Sequence, residues 1–166
     1  MSSKRWGKAT SQRRDPDASF VADADVFFFY LRGGRLEEQA ADVIRQASAG
    51  TITLRVSSEV YDDAITAIRS EGQPLDVARD FVSDMRSMPH SPVPMSAQIA
   101  ADAMSLYGEF GGRGRLSYFD SFHVATARSM GARLLTSDRY VNRNHLKLGV
   151  KVADLSEWVR RRPAGR

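Results

Sequence analysis

Four aspartates, Asp23, Asp63, Asp120 and Asp138, are the residues whose type and placement suggest chemistry. Asp23 stands inside FVADADVFFFYL (20–31), an apolar run rich in β-branched and aromatic residues that reads as a buried strand passing into a turn or helix. A carboxylate buried there is costly unless it is neutralised or coordinates a cation. Asp138 closes the strand ARLLTSD (132–138), Asp120 lies early in the helix before that strand, and Asp63 lies in the first turns of the helix that follows TITLRVS (51–57). Brought to one rim, four carboxylates repel one another unless a cation sits among them. Hard oxygen donors suit Mg²⁺ or Mn²⁺, and such ions activate water and stabilise the leaving oxygen in phosphodiester hydrolysis.

The elements that must position these acids follow from periodicity. Leu36, Ala40, Val43, Ile44 and Ala47 fall at helical spacing, as do Val60, Ala64, Ile65, Ala67 and Ile68. Pro74 opens a helix whose apolar stripe is Leu75, Ala78, Phe81, Val82, Met85 and Met88. SPVPM (91–95) has room only for an edge strand, because its prolines cannot donate to a ladder. Helices are expected over 96–110 and 116–131, a polar helical stretch from Arg139, and a last strand in GVKVADL (149–155). Five strands alternating with helices predict an α/β fold, a parallel sheet covered on both faces in three α/β/α layers, with its active site at the carboxyl ends of the strands.

Composition sets the outer bounds. The 166 residues suit one domain, expected over 18–159, and 42% hydrophobic content is enough for a core. There is no cysteine, which excludes disulfides, zinc–thiolate sites and cysteine nucleophiles. The opening residues lack a continuous apolar stretch, so a signal peptide and membrane attachment are not expected and the cytoplasm is the default location. The net charge of +4 is uneven: five Lys/Arg lie in residues 1–14 and four Arg in 160–166, leaving 15 basic against 20 acidic residues between them. The ends, 1–17 and 160–166, read as basic tails, suited either to a polyanion or to solubility. An acidic body needs metal cations to bring phosphate near it.

Four segments carry a family resemblance. FVADADVFFFYL, VSSEVYDDAI, DSFHVATA and LLTSDRYV resemble, in order, the signature segments of the PIN-domain nucleases, including the VapC-like toxins of toxin–antitoxin pairs, over residues 19–155. The resemblance implies sheet order 3-2-1-4-5 and a Mg²⁺- or Mn²⁺-dependent endonuclease acting on single-stranded RNA, with a protein antitoxin and a homodimer as further partners. It assigns Asp23, Asp120 and Asp138 as metal ligands and Thr136 or Ser137 as the supporting hydroxyl. The second acid of the family is usually glutamate. Here Asp63 stands at that place with Asp62 beside it, and a helical wheel turns Asp63 roughly 50° closer to the apolar face.

Other residues have bland readings beside the sharp ones. Asp25 reads as a helper, by holding a metal-bound water or capping the next helix. Ser117-Tyr-Phe-Asp120 approximates capping-box spacing, so Asp120 also suits a helix start that satisfies backbone amides, Asp138 a helix N-cap, and Asp62 and Asp63 a solvated face. His123, three residues past Asp120, suits a general acid less well than a packed or surface histidine. Arg113 and Arg115 flank Gly114 in a loop before Asp120, where their guanidinium groups suit RNA phosphates. Asp23-Ala24-Asp25 also resembles the Asp-x-Asp opening of haloacid-dehalogenase-type phosphatases, but Phe27 replaces the required Thr or Val, and no lysine lies between the second strand and Asp138. A PIN-like module that binds without cutting and a PIN nuclease of RNA processing are the remaining alternatives.

Overall fold

A computed structural model describes residues 18–158; the two basic tails fall outside the described residues. The strands are β1 (Ser19–Ala22), β2 (Thr53–Ser57), β3 (Ser91–Val93), β4 (Arg133–Thr136) and β5 (Lys151–Asp154). The helices are α1 (Ala24–Arg32), α2 (Glu37–Ser48), α3 (Val60–Ser70), α4 (Leu75–Arg86), α5 (Ala97–Phe110), α6 (Tyr118–Ser129) and α7 (Arg139–Asn144). All strand pairs are parallel and the sheet order is β3-β2-β1-β4-β5. Pro92 sits in β3 at the sheet edge, where its missing N–H removes no interior bond.

Alternation along the strands builds the three layers. Phe20, Ala22 and Leu135 face one core with Val26, Phe27, Val43, Ala64 and Met85 of α1 to α4. Val21 and Leu134 face a second core with Ile99, Ala103, Leu106, Val124 and Leu148. One residue of register therefore separates the two faces, as the period of two requires. The expected stripe of α4 holds for Ala78, Phe81 and Met85, but Leu75 is 65% exposed: it is the first residue of α4, where the helix projects past the core. Among the described residues no helix is long and apolar enough to cross a membrane.

Two strand boundaries correct the sequence reading. β1 ends at Ala22, so Asp23 is not inside the strand but immediately past it, with its N–H bonded to the Leu135 carbonyl at 3.0 Å. β4 ends at Thr136, so Asp138 lies two residues beyond it. Both acids remain at the carboxyl edge, because the chain turns directly from strand into helix at each place. Gly33 ends α1 with φ of 77°, a conformation that costs glycine little and other residues more.

One buried carboxylate away from that edge is structural. Asp42 of α2 is fully buried and accepts from Gln46 Nε2 at 2.6 Å, from Trp158 Nε1 at 2.9 Å and from Arg45. Trp158 in turn meets Phe20 edge-on, with centroids 5.4 Å apart. The Asp42 side chain thus ties the end of the described chain to the first core. Removing it leaves the buried Gln46 and the part-buried Trp158 donors unpaired, a loss of about 3 kcal/mol. Asp42→Ala should lower the melting temperature by roughly 6–12 °C, read by circular dichroism. A shift within the error of replicate melts would reject the anchoring role.

Candidate active site

Five carboxylates meet at the carboxyl edge of β1, β2 and β4. Asp23, Asp25, Asp63, Asp120 and Asp138 line one cleft of about 480 Å³ together with Ala24, Phe28, Ser137 and Arg139. The four sequence-selected acids are therefore together, each delivered by a different element. Asp62, the rival of Asp63, is exposed and is not among the cleft residues. Arg113 and Arg115 are also exposed and outside the cleft lining, with Arg115 donating to the Glu109 carbonyl.

Asp23 has the backbone of an N-cap for α1 but makes no side-chain cap bond. Its carboxylate is turned instead toward the sheet, where Thr136 Oγ1 donates to Oδ2 at 2.6 Å. The same hydroxyl accepts the Asp138 N–H at 3.0 Å, so the fully buried Thr136 fixes both the Asp23 side chain and the Asp138 backbone. Ser137 donates its N–H at 2.7 Å and its hydroxyl to Asp25 Oδ2. Asp25 thus holds the loop after β4, while its Oδ1 is buried without a partner.

Asp138 does serve as the N-cap that the bland reading allowed, whereas Asp120 lies in the first turn of a helix capped by Ser117, and both line the cleft. Ser117 caps α6 by accepting the Asp120 N–H at 3.1 Å, and its hydroxyl donates to Asp120 Oδ2 at 2.6 Å. Asp138 Oδ1 accepts the Val141 N–H at 2.7 Å and caps α7. The alternatives of capping and site-lining therefore do not exclude each other, since a carboxylate has two oxygens.

His123 is the residue whose part the sequence understated. It is fully buried, with Nδ1 2.8 Å from Ser57 Oγ and Nε2 3.1 Å from Asp63 Oδ2 and 3.7 Å from Asp23 Oδ1. It links β2, α6, α3 and the end of β1. Its signal was visible in hindsight: a titratable side chain between Phe122 and Val124 on a helix whose residues 121 to 127 are all buried. Among the described residues, Asp23, Asp63 and His123 have donor atoms within 4.8 Å of one another. Asp120 and Asp138 do not enter that closest group, which differs from the expected ligand set of Asp23, Asp120 and Asp138. The reason is local, because Ser117 and the Val141 N–H each hold one oxygen of those two acids.

The electrostatics match this crowding. Burial, then the charge of Asp25, pushes Asp23 up to about 7, against the opposing His123 charge and the Thr136 bond. Burial, then the charge of Asp23, carries Asp120 to about 7, and burial carries Asp25 to about 6 despite two bonds from Ser137. Burial pulls His123 down, but the Asp63 bond and the charges of Asp23, Asp63 and Asp120 outweigh it and hold the imidazole at about 9. These neighbours favour the protonated imidazole, in which both nitrogens donate.

This donor set fits a hard dication. It is dominated by carboxylate oxygen, it is short of positive charge, and Asp25 Oδ1 stands buried without a donor. The phosphatase alternative fits poorly, since Asp25 is engaged by Ser137 and no lysine lines the cleft.

The raised carboxyl groups have a sign that solution work can read. Their folded values lie above the unfolded value of 3.8, so the metal-free fold holds protons that the unfolded chain releases. Stability in chelator should be greatest near pH 4 and fall as pH rises to about 7. The raised His123 extends the fall toward pH 9. A bound dication must expel these protons, so Mn²⁺ affinity should tighten between about pH 5.5 and 7.5, with proton release visible by calorimetry in buffers of different ionisation heat. Affinity that stays flat over that range would contradict the assignment of these groups to a metal.

A family model described as the PIN domain matches residues 20–145. No curated protein sequence matches the chain. Among solved structures, the VapBC2 complex of Rickettsia felis, bound to a DNA fragment from its promoter, contains a chain with a TM-score of 0.61 at 13% identity, covering 82% of this chain and 98% of that one. VapBC-1 of nontypeable Haemophilus influenzae gives 0.56 at 13%, covering 84% and 99%. VapC20 of Mycobacterium tuberculosis, a sarcin–ricin loop cleaving toxin, gives 0.53 at 15%, covering 87% and 99%. At these identities the likeness to the three structures is one of fold.

Proposed function

Since this chain belongs to the PIN-domain family, we propose that it is a divalent-metal-dependent endoribonuclease that hydrolyses phosphodiester bonds of single-stranded RNA as the toxin of a toxin–antitoxin pair. The observation that carries this reading is the convergence of Asp23, Asp63, Asp120 and Asp138 on one cleft at the carboxyl edge of the sheet. The toxin part is supported by the nearly complete coverage of three chains, two of them solved in VapBC complexes and one described as a sarcin–ricin loop cleaving toxin. A protein antitoxin is the corresponding partner.

Asp23, Asp120 and Asp138, with Asp63 beside Asp23, would hold Mg²⁺ or Mn²⁺. The bound ion would supply charge neutralisation at the phosphate and acidify the attacking water. The protein's own residues supply position and dryness. Thr136 holds Asp23 in one orientation, Ser137 holds Asp25, and His123 fixes Asp63 while balancing one of the carboxylate charges. Fixed groups of this kind need not reorganise as charge develops on the phosphate.

The test is a gel assay of single-stranded RNA cleavage by the full chain. Internal cuts should appear with Mn²⁺ or Mg²⁺ and vanish in excess EDTA. Equal cleavage in chelator would remove the metal from the mechanism, and an intact substrate under every divalent ion would remove the nuclease reading.

A further inference from the structure

Of the four cleft residues that are not acids, Phe28 and Arg139 carry large side chains that nothing in the metal chemistry uses. Phe28 lies one helical turn beyond Ala24 and Asp25 on α1, so the face of that helix that carries Asp25 into the cleft carries the ring as well. The ring is held rather than loose. It stacks on Phe81 with centroids 4.7 Å apart at 29°, and the Arg32 guanidinium carbon lies 5.4 Å from its centroid. Even so it is only partly buried, and what remains uncovered lines the cleft. An aromatic wall beside five carboxylates has no ion to bind; it suits a flat, weakly polar group delivered with something that does bind there.

Arg139 is the complementary feature. It follows Asp138, is exposed, lines the cleft, and makes no ion pair or hydrogen bond among the described residues. An arginine amid carboxylates ordinarily pairs with one. Here Ser137 holds only one oxygen of Asp25 and the Val141 N–H only one of Asp138, yet Arg139 pairs with neither. The unpaired guanidinium is open to an anion from outside, and its planar fork matches phosphate oxygens.

From this juxtaposition we infer that Phe28 and Arg139 form a nucleotide subsite within the cleft. Arg139 takes a phosphate of the substrate backbone, and Phe28 takes the base of an unpaired nucleotide next to the scissile bond. The inference rests on the nuclease reading above and deepens it. A base reaches the ring only when it is splayed out of a helix, so the subsite selects single strands over duplexes. Recognition through a π-face is also tolerant of base identity.

The experiment uses the full chain in Ca²⁺ buffer and a short single-stranded oligoribonucleotide carrying 2-aminopurine, whose fluorescence falls on stacking, with the same strand annealed to its complement as the comparison. The wild-type protein should quench the single strand and bind the duplex at least about tenfold more weakly. Phe28→Leu keeps an apolar side chain against Phe81 and loses the π-face; it should abolish most of the quench while the protein still melts cooperatively at a somewhat lower temperature. Arg139→Gln should keep the quench at saturation, weaken binding roughly five- to tenfold, and lower the salt dependence by about one phosphate contact. Full quenching by Phe28→Leu, salt dependence unchanged in Arg139→Gln, or wild-type binding of neither strand would each overturn the subsite. Wild-type cleavage with variant binding indistinguishable from wild type would sink this inference alone. Quenching and salt dependence as stated, without cleavage by any divalent ion, would leave the subsite standing and remove the hydrolytic reading.

Discussion

Asp23→Asn should reduce metal-dependent RNA cleavage by about a thousandfold while leaving the metal-free protein at least as stable as wild type. The activity loss follows from removing a ligand oxygen and a negative charge at the point where the cleft is most buried; about 4 kcal/mol of transition-state stabilisation corresponds to that factor. The stability side is the unusual part. Burial raises Asp23 to about 7, so above that pH the fold carries a carboxylate that its surroundings resist. Asparagine has the same shape, keeps an oxygen to accept from Thr136 Oγ1, and carries no charge. In EDTA at pH 8 its melting temperature should therefore equal or exceed that of wild type, whereas in Mn²⁺ the order should reverse. Asp62→Asn is the matched control: it is adjacent to Asp63 but exposed, and should keep cleavage within about twofold. An Asp23→Asn protein that cleaves at a tenth of the wild-type rate, or one that unfolds in chelator, would contradict the role given to this side chain.

The parts of this molecule that could be read from its sequence are those set by periodicity and by the cost of burying charge. The strand and helix order followed from apolar spacing, and the parallel sheet followed from the alternation. Asp23 stood out because a carboxylate in an apolar run has to be explained. Asp63 was separated from Asp62 by helical angle, and the structure leaves Asp62 in solvent while Asp63 enters the cleft. What stayed hidden depended on distances between elements. Whether Asp138 caps a helix or lines a site does not follow from spacing, because one carboxylate does both. Arg139 looked like any exposed arginine; its meaning lies in its place on the cleft wall. Phe28 was one of three consecutive phenylalanines, and only the packing of Phe81 against it separates it from its neighbours. His123 was undervalued because its partners, Ser57 and Asp63, lie 66 and 60 residues away.

His123→Leu should have the second large effect, and it separates two parts that the histidine can play. The ring is fully buried between Ser57 Oγ and Asp63 Oδ2. Leucine fills most of the volume but leaves a buried hydroxyl and a carboxylate oxygen without a partner, a loss of about 3 kcal/mol, or a melting temperature lower by roughly 6–12 °C in chelator. It also removes the cation that balances Asp23 and Asp63, since His123 holds its proton up to about 9. If that charge is the role, a dication added to the variant supplies what the imidazolium supplied. The stabilisation by Mn²⁺ should then be larger in His123→Leu than in wild type. If instead a neutral ring offers Nε2 to the metal as a ligand, the variant should lose most of the Mn²⁺-induced stabilisation. Charge balance is favoured by the geometry, because Nε2 lies 3.1 Å from an Asp63 oxygen and a nitrogen that donates there has no lone pair to give. A Mn²⁺-induced shift smaller in the variant than in wild type would reverse that assignment and make His123 a ligand of the ion.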